Sequence, residues 1–293
     1  MKNFVLIGIS GYVAKKHLFA IKNSNNNLIA AYDVNKNLDN LKKYFPNCNF
    51  FTKLKDLRQH IKNSKKKIHY LTVCSPNYLH FRHIKFGIMN NLDVICEKPI
   101  VLKKYQLEVL NSLSKKKNKK IFSILQLRHH PSLLKLKKNI IYKKKISKVN
   151  LIYYTERDEK YFKTWKGNDR KSGGILLNIG VHFFDLLLWI FGDIIDFKIS
   201  ILNSYRAKGT LQLKKANVKW DLSVKSIKLN KKKKLKVFRS IKVDGNEVKF
   251  SKTFDDLHLL NYKFILKNRK NNLQESFKPI KLINDLKNLH NAI

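Results

Sequence analysis

Lys98 and His182 are the two residues of this chain best set to move a proton. Lys98 stands in C-E-K-P (Cys96 to Pro99), after a buried apolar run and before a proline, where partial desolvation would let its amine exchange a proton with a hydroxyl. A lysine at an ordinary strand end is a solvated cap, so its neighbours carry the argument. His182 belongs to a stripe: Asn178, His182 and Asp185 are spaced i, i+4, i+7 in the apolar stretch Ile175 to Gly192, a spacing that lines one face of an α-helix. One histidine alone would read equally well as a satisfied core residue. Three polar groups on an otherwise apolar helix are each costly to bury without a partner, which favours a site. Gly173 and Gly174, just before the helix, allow a ligand close to its N-terminus.

A second set of residues suits phosphate. After the first apolar run comes G-I-S-G-Y-V-A, where Gly8 makes a tight turn, Gly11 lets a pyrophosphate approach the backbone, and Ala14 keeps helix and strand close. The pattern is GxxGxxA rather than GxGxxG, a moderate signal, and a ligand-free glycine turn is the competing reading. Asp33, at the end of the next strand, strengthens it, because a carboxylate there accepts from ribose hydroxyls and repels a 2′-phosphate. C-S-P-N-Y-L-H (Cys74 to His80) and C-E-K-P close two further strands, and ligands in open α/β sheets bind outside the carboxyl ends of strands.

The elements that must hold these residues alternate. Strands are expected at Phe4 to Ile9, Asn27 to Asp33, Ile68 to Ser75 and Asp93 to Cys96, with helices at Val13 to Lys22, Lys36 to Tyr44, Asn77 to Asn90 and Lys103 to Ser114. This rhythm means crossovers and a parallel, doubly wound sheet. After a strand at Lys120 to Leu127 the rhythm changes. Val149 to Arg157, Ile194 to Tyr205, Gly209 to Leu213, Val218 to Ile227, Lys236 to Val243 and Glu247 to Phe250 read as strands, with Asp244-Gly245 a hairpin turn. Two helices, near Phe254 to Lys267 and Pro279 to Leu289, end the pattern. The expected organisation is a Rossmann domain over 1–122 and an α+β domain with an open, mostly antiparallel sheet over 123–293.

Composition allows such a protein: 293 residues, 43% hydrophobic and 11% aromatic, are enough for sizeable cores and argue against a disordered basic tail. The charge is unusual, 62 Lys plus Arg against 20 Asp plus Glu, a formal +42. Such a field attracts polyanions. Its runs, such as Lys65 to Lys67 and Lys231 to Lys234, come with abundant Asn and Ile, the pattern of A+T-rich codons, and without a basic-region, zinc-finger or aromatic RNA motif, so no specific nucleic-acid partner is expected. Cys48, Cys74 and Cys96 form no CxxC or metal spacing, so neither a disulfide framework nor a metal site is expected, and a reducing cytoplasm suits them. The apolar run after Lys2 leads into a glycine turn rather than a cleavage site. Ile175 to Gly192 nearly reaches the length of a membrane span, but its polar stripe argues for a buried helix and no membrane.

The glycine turn, the acid after the second strand, S-P-N, E-K-P and G-G-x-L-x-N-x-G-x-H-x-x-D together resemble the glucose-fructose oxidoreductase, inositol dehydrogenase and rhizopine-catabolism (Gfo/Idh/MocA) family. Within it, GYVAKKH, YFPNCNFF, CSPNYLH, ICEKP, ILQLRHHPS, TWKG, KSGG, NIGVHFFD, WIFGD, FRSIKVDG and DLH resemble the UDP-N-acetylglucosaminuronate 3-dehydrogenases of bacterial surface-polysaccharide (O-antigen type) synthesis, from Met1 to about Leu289. The resemblance implies that Gly8, Gly11, Tyr12, Val13, Asp33, Ser75, Pro76, Asn77, His80, Glu97 and Lys98 line an NAD site, and that Lys98 and His182 are a catalytic acid/base pair. It also implies that Arg128, Tyr154, Trp165, Lys166, Asn178, His182 and Arg239 contact a nucleotide-sugar acid, UDP-2-acetamido-2-deoxy-glucuronate oxidised at C3. Asn178 stands where many relatives have Asp, so it is expected to position rather than move a proton. The branch further implies a homotetramer built through the open sheet and, in some members, reoxidation of the cofactor by 2-oxoglutarate.

Two other readings compete. One is another sugar or inositol dehydrogenase of the same family. The other is a non-catalytic polyanion-binding protein on a Rossmann scaffold, against which the intact E-K-P and N-x-G-x-H weigh, since a chain that had lost catalysis would be free to lose Lys98 or His182.

Overall fold

The first apolar run, Asn3–Ile7, is buried along almost its whole length, as a strand covered on both sheet faces must be. In the computed structural model, which describes residues 1–225, 227–230, 233–235, 237–250, 256–268 and 272–291, it is the central strand of a parallel sheet. The chain divides into two units, Met1–Gln126 with Asp255–Ser276, and Leu127–Phe254 with Phe277–Ile293.

The first unit begins β1 (Asn3–Ile7), α1 (Ala14–Asn23), β2 (Asn27–Tyr32), α2 (Asp39–Tyr44), β3 (Asn49–Phe51), α3 (Leu54–Asn63), β4 (Tyr70–Val73), α4 (His80–Met89), β5 (Asp93–Cys96), α5 (Lys104–Lys116) and β6 (Ile121–Ser123). The six strands run in the order β3-β2-β1-β4-β5-β6, all pairs parallel, so the order reverses between β1 and β4. The doubly wound expectation holds. Sequence pattern does not reveal β3, a three-residue edge strand, or α3, which buries only Leu57 and so carries little apolar period.

The second unit continues with α6 (Pro131–Tyr142), β7 (Ser147–Thr155), two short helices α7 (Glu159–Lys163) and α8 (Asp169–Ser172), and α9 (Val181–Phe191). Its strands are β8 (Ile194–Leu202), β9 (Arg206–Leu213), β10 (Ala216–Ser223), β11 (Ile227–Asn230), β12 (Lys233–Leu235), β13 (Val237–Val243) and β14 (Asn246–Glu247). Five of them and β7 form a sheet in the order β14-β13-β7-β10-β9-β8, antiparallel except for the β7–β10 pair. β9 and β10 alternate buried and exposed residues, which is the mark of a sheet covered on one face. The covering element is α9, whose Phe184 meets Trp220 edge-on with ring centroids 5.2 Å apart. Trp220 is fully buried against Gly209.

The remaining helices part company. α10 (Leu257–Asn268) returns to the first unit, where Tyr262 and Ile265 join the core formed by Phe4, Leu18 and Tyr70. α11 (Phe277–Asn291) packs in the second unit. A simple two-part cut of the chain has no place for this return. Lys236, which opens an expected strand, Ser226 inside another, and Phe254 and Asp255, which open an expected helix, lie outside the described residues.

The stretch Asp169–Phe191 is long and apolar enough to cross a membrane, with mean hydropathy 1.8, yet 78% of its apolar window is buried inside the protein, as a core helix is.

Gly209 provides a test of the second unit's packing. A Cβ there would lie 2.1 Å from the Lys198 carbonyl oxygen and 2.7 Å from the Trp220 ring. Gly209→Ala should therefore destabilise the unit by about 2 kcal/mol, read as a lower denaturant midpoint. An unchanged midpoint would show that the strand pair and Trp220 give way freely.

Candidate active site

The end of β1 is pressed against the end of β4. Gly8 takes φ +90° and its N–H donates to the Tyr32 carbonyl at 2.8 Å. A Cβ on it would lie 2.5 Å from the Ser75 nitrogen, so only glycine lets the turn run there. Three residues past Gly11, α1 begins with the Ala14 N–H donating to the Gly11 carbonyl at 3.0 Å, and its first turn holds no acidic residue. Its positive end is left for an anion. Asp33, at the end of β2, is almost buried and fixed: Oδ2 accepts from the Ser10 N–H at 2.9 Å and Oδ1 from the Asn35 N–H at 3.0 Å. Glycine turn, helix N-terminus and carboxylate thus gather at the switch point between β1 and β4, the arrangement a dinucleotide requires. Tyr12 is exposed and Val13 half-buried beside this turn.

The loops after β4 and β5 are tied to each other. The His80 ring sits between the carbonyl oxygens of Ser75 and Pro99, 2.7 Å from each. Both oxygens only accept and burial lowers the His80 pKa, so the neutral ring donates to one of them and packs against the other, between the S-P-N and E-K-P segments. Asn77 is buried, and the Ser75 hydroxyl lies 2.8 Å from His83 Nδ1. The Glu97 carboxylate is engaged inside the unit. Oε1 accepts from His17 Nε2 at 2.8 Å and from His258 Nε2 at 2.9 Å, and Oε2 from the Lys98 N–H at 3.2 Å. Burial alone would raise its pKa, but these donors hold it well below the usual carboxylate range. Lys98 itself is half-buried.

In the second unit the polar stripe spans two kinds of helix. Leu176–Gly180 is a π-helical turn, so the step from Asn178 to His182 is not that of a regular α-helix; the two are half-buried in an otherwise buried stretch. Asn178 Nδ2 donates to the Tyr161 hydroxyl at 2.7 Å. Asp185 is buried and receives a two-point pair from Arg128, Nε to Oδ2 at 3.0 Å and Nη2 to Oδ1 at 2.6 Å. His182 is half-buried.

Strand alternation separates two other expected contacts. Tyr153 and Arg239 lie opposite each other on β7 and β13, on the face where Tyr153 meets Phe183 of α9 at 4.9 Å and Arg239 lies over the Tyr153 ring at 5.2 Å. Tyr154 points to the other face, against the Arg206–Asp221 pair, where burial first and Asp221 second push its phenol up to about 12. Tyr153, not Tyr154, therefore shares a face with α9. Trp165 and Lys166 occupy the short 3-10 turn Trp165–Gly167, both half-buried, and burial together with Arg157 lowers the Lys166 pKa.

Residues 2–125 match the model of the oxidoreductase family's NAD-binding Rossmann fold, and residues 143–201 match the same family's C-terminal alpha/beta domain. This chain belongs to the Gfo/Idh/MocA oxidoreductase family. Its N-terminal half is thus the family's NAD-binding domain. The chain is similar to the solved WlbA (WbpB) dehydrogenase from Thermus thermophilus in complex with NAD and UDP-GlcNAcA: 34% identical, TM-score 0.91, covering 97% of this chain and 94% of that one. The same enzyme in complex with NAD and alpha-ketoglutarate is 35% identical, with TM-score 0.90 over 96% of this chain and 93% of that one. The glucose-6-phosphate 3-dehydrogenase of Bacillus subtilis is 26% identical over 73% of this chain, and the match spans 59% of that relative's length.

Within this family member, several residues around the candidate site carry no local sequence signal. His17 stands in the GYVAKKH segment and His258 in DLH, yet nothing nearby announces that both reach Glu97. Tyr161 and Arg157 are equally unannounced; Arg157 lies over the Tyr161 ring at 5.2 Å, and that ring carries the hydroxyl that meets Asn178. Cys74 and Cys96 are buried and their thiols pushed well above the ordinary range by that burial, which makes them poor nucleophiles.

His83 offers a pH test, because burial lowers its pKa from 6.5 to about 4. Between those values the unfolded chain binds the proton and the folded chain does not, so stability rises with pH through that window. From pH 7.5 to 5.5, wild type should lose about 1 kcal/mol more than His83→Gln in urea denaturation. Equal losses would mean that His83 titrates normally in the fold.

Proposed function

We propose that this protein is an NAD-dependent dehydrogenase that oxidises the C3 hydroxyl of a UDP-linked 2-acetamido sugar acid, UDP-2-acetamido-2-deoxy-glucuronate, on the way to a surface-polysaccharide sugar. The observation that carries the reading is the likeness along nearly the whole chain to the Thermus dehydrogenase held with NAD and UDP-GlcNAcA. Gly8, Gly11, Asp33, Ser75 and Asn77 would hold NAD, which supplies the hydride acceptor when bound. The fit is supported by the anion-ready α1 N-terminus and by the Asp33 carboxylate fixed beside the glycine turn.

The chain's own groups then have separable roles. Lys98, on the loop after β5, and His182, in the first turn of α9, are the residues we assign to taking and passing the hydroxyl proton. Asn178 orients rather than transfers, because an amide has no proton to give up at neutral pH and here donates to Tyr161. Arg128 is assigned to fixing Asp185, three residues after His182, rather than to the substrate, since two of its donors already meet that carboxylate. Lys166 and Arg157 are the cations suited to a diphosphate or a sugar carboxylate: they lie close enough for Arg157 to lower the Lys166 pKa, and an anion would relieve both.

A second reading within the family is oxidation of a sugar phosphate at the same carbon, favoured by the similarity to glucose-6-phosphate 3-dehydrogenase. One assay separates the two. With NAD and 2-oxoglutarate present, the sugar acid should give a 3-keto product, seen by mass spectrometry, about a hundredfold faster than neutral UDP-N-acetylglucosamine, which would leave a carboxylate-reading cation unpaired. Equal rates with the neutral sugar, or a faster rate with glucose 6-phosphate, would sink the substrate assignment.

The proton-transfer roles are tested separately. Lys98→Met and His182→Asn should each lower kcat by about two orders of magnitude while NAD affinity stays nearly unchanged. A variant with near-normal turnover removes that residue from the assignment.

A further inference from the structure

Glu97 is a charged carboxylate, 5% exposed, one residue before the lysine assigned to proton transfer. It is held from three directions. His17 comes from α1, just beyond the glycine turn; His258 comes from α10, which returns to this unit from far along the chain; and the Lys98 N–H closes on the second carboxylate oxygen. The network continues outward from His17, whose Nδ1 lies 2.8 Å from the Tyr262 hydroxyl, itself 3.0 Å from Thr72 Oγ1 on β4. The His17 and His258 rings meet edge-on with centroids 5.2 Å apart.

The proton positions follow from the partners. An ionised carboxylate only accepts, so His17 Nε2 and His258 Nε2 both donate. Burial lowers the His17 pKa, so its ring is neutral and Nδ1 is left as an acceptor, to which Tyr262 donates. Tyr262 can then accept from Thr72.

As a device for stability this is a poor one. It buries a carboxylate, and it leaves His258 Nδ1 without a hydrogen-bond partner among the described residues. Apolar side chains of similar volume would cost less than a buried charge. What the network does accomplish is local to Lys98. The strand before it is pinned by the Glu97 N–H donating to the Val73 carbonyl at 3.0 Å, and the Pro99 carbonyl after it lies 2.7 Å from His80 Nδ1. The Lys98 N–H between these points is held by Glu97 Oε2. The backbone that carries the lysine is thereby held at Glu97 and packed against the His80 ring at Pro99.

We propose that Glu97 is a positioning residue for Lys98 and that His17, His258 and Tyr262 act through it, so that the returning helix α10 is a working part of the NAD-binding unit. The proposal rests on the assignment of Lys98 to proton transfer. The competing use of the cluster is a metal site, since one ligand atom from each of His17, Glu97 and His258 lies within 4.8 Å of the others.

The test uses the full-length protein and separates positioning from folding and from cofactor binding. Glu97→Gln and His258→Leu should each lower kcat by about tenfold to a hundredfold, as expected when a reacting group is displaced by a fraction of an ångström to an ångström. NAD affinity should stay within about twofold in both, on the same reasoning that the displaced group is Lys98 rather than the cofactor site. His258→Gln, which keeps an N–H donor, should recover most of the turnover that His258→Leu loses. Normal turnover in Glu97→Gln, equal turnover in the Gln and Leu variants, or a parallel loss of NAD affinity and turnover would each overturn the proposal. A readout on wild-type protein guards against variants that fail to fold: nitrogen-15 NMR of His17 at pH 7 should show the neutral ring protonated at Nε2. A ring protonated at Nδ1, or stoichiometric zinc in the purified protein by elemental analysis, would overturn it. If Lys98→Met keeps full turnover while the His17 signature is as expected, the functional assignment of Lys98 has failed and the network geometry has not.

Discussion

A carboxylate removed from water must be met by donors, and in the first unit that requirement draws together elements from across the chain. Glu97 brings α1, the ends of β4 and β5, and α10 to one point, because His17, Thr72, Tyr262 and His258 can reach it or its partners only from those positions. Breaking any member leaves a buried charge or polar group without its counterpart, which is far more damaging than never having placed it there. The glycine turn imposes a second, steric condition on the same region. Gly8 lets β1 end against β4, and α1, which starts from that turn, is the helix that carries His17. Phosphate-binding geometry and the buried network therefore share one helix.

The second unit solves a similar problem with a different pair. Asp185 lies on the buried side of α9 and is matched by two donors of Arg128, while the sheet beneath presents Trp220 and Gly209 to the helix. Asn178, in the π-helical turn before α9, meets Tyr161, and Asp185 meets Arg128. Two polar groups of the same stretch therefore have different partners, a tyrosine hydroxyl for Asn178 and an arginine for Asp185. Two-point pairing is what suits arginine to the buried role, since a lysine offers no matching planar fork.

Family membership and substrate rest on different parts of the molecule. The parallel sheet, glycine turn and E-K-P segment are what place the chain in an NAD-binding oxidoreductase family. In the proposed function, selection of one sugar over another would fall to residues of the second unit such as Lys166, Arg157 and Tyr161, whose contacts come from short helices and turns rather than from the regular sheet. A fold can host many substrates for this reason: the scaffold is set by apolar pattern, and the site by a few polar side chains mounted on it.

Much of this was legible in the order of residues alone. The alternating strands and helices, the glycine turn, Asp33 at the end of β2, and Lys98 after β5 are local features, because hydrophobic period and turn chemistry act over a few neighbours. The tertiary structure decided what depends on distance in sequence. That Glu97 faces inward could not be read from E-K-P, since its partners His17 and His258 are 80 and 161 residues away. That Tyr153 rather than Tyr154 shares the face of α9 turned on strand register, where a shift of one residue exchanges the two sheet faces. That Asn178 sits in a π-helical turn and meets Tyr161, 17 residues away, was not legible in the α-helical period of the stretch. The return of α10 was likewise hidden, because an amphipathic helix records that it has a buried face but not which core receives it.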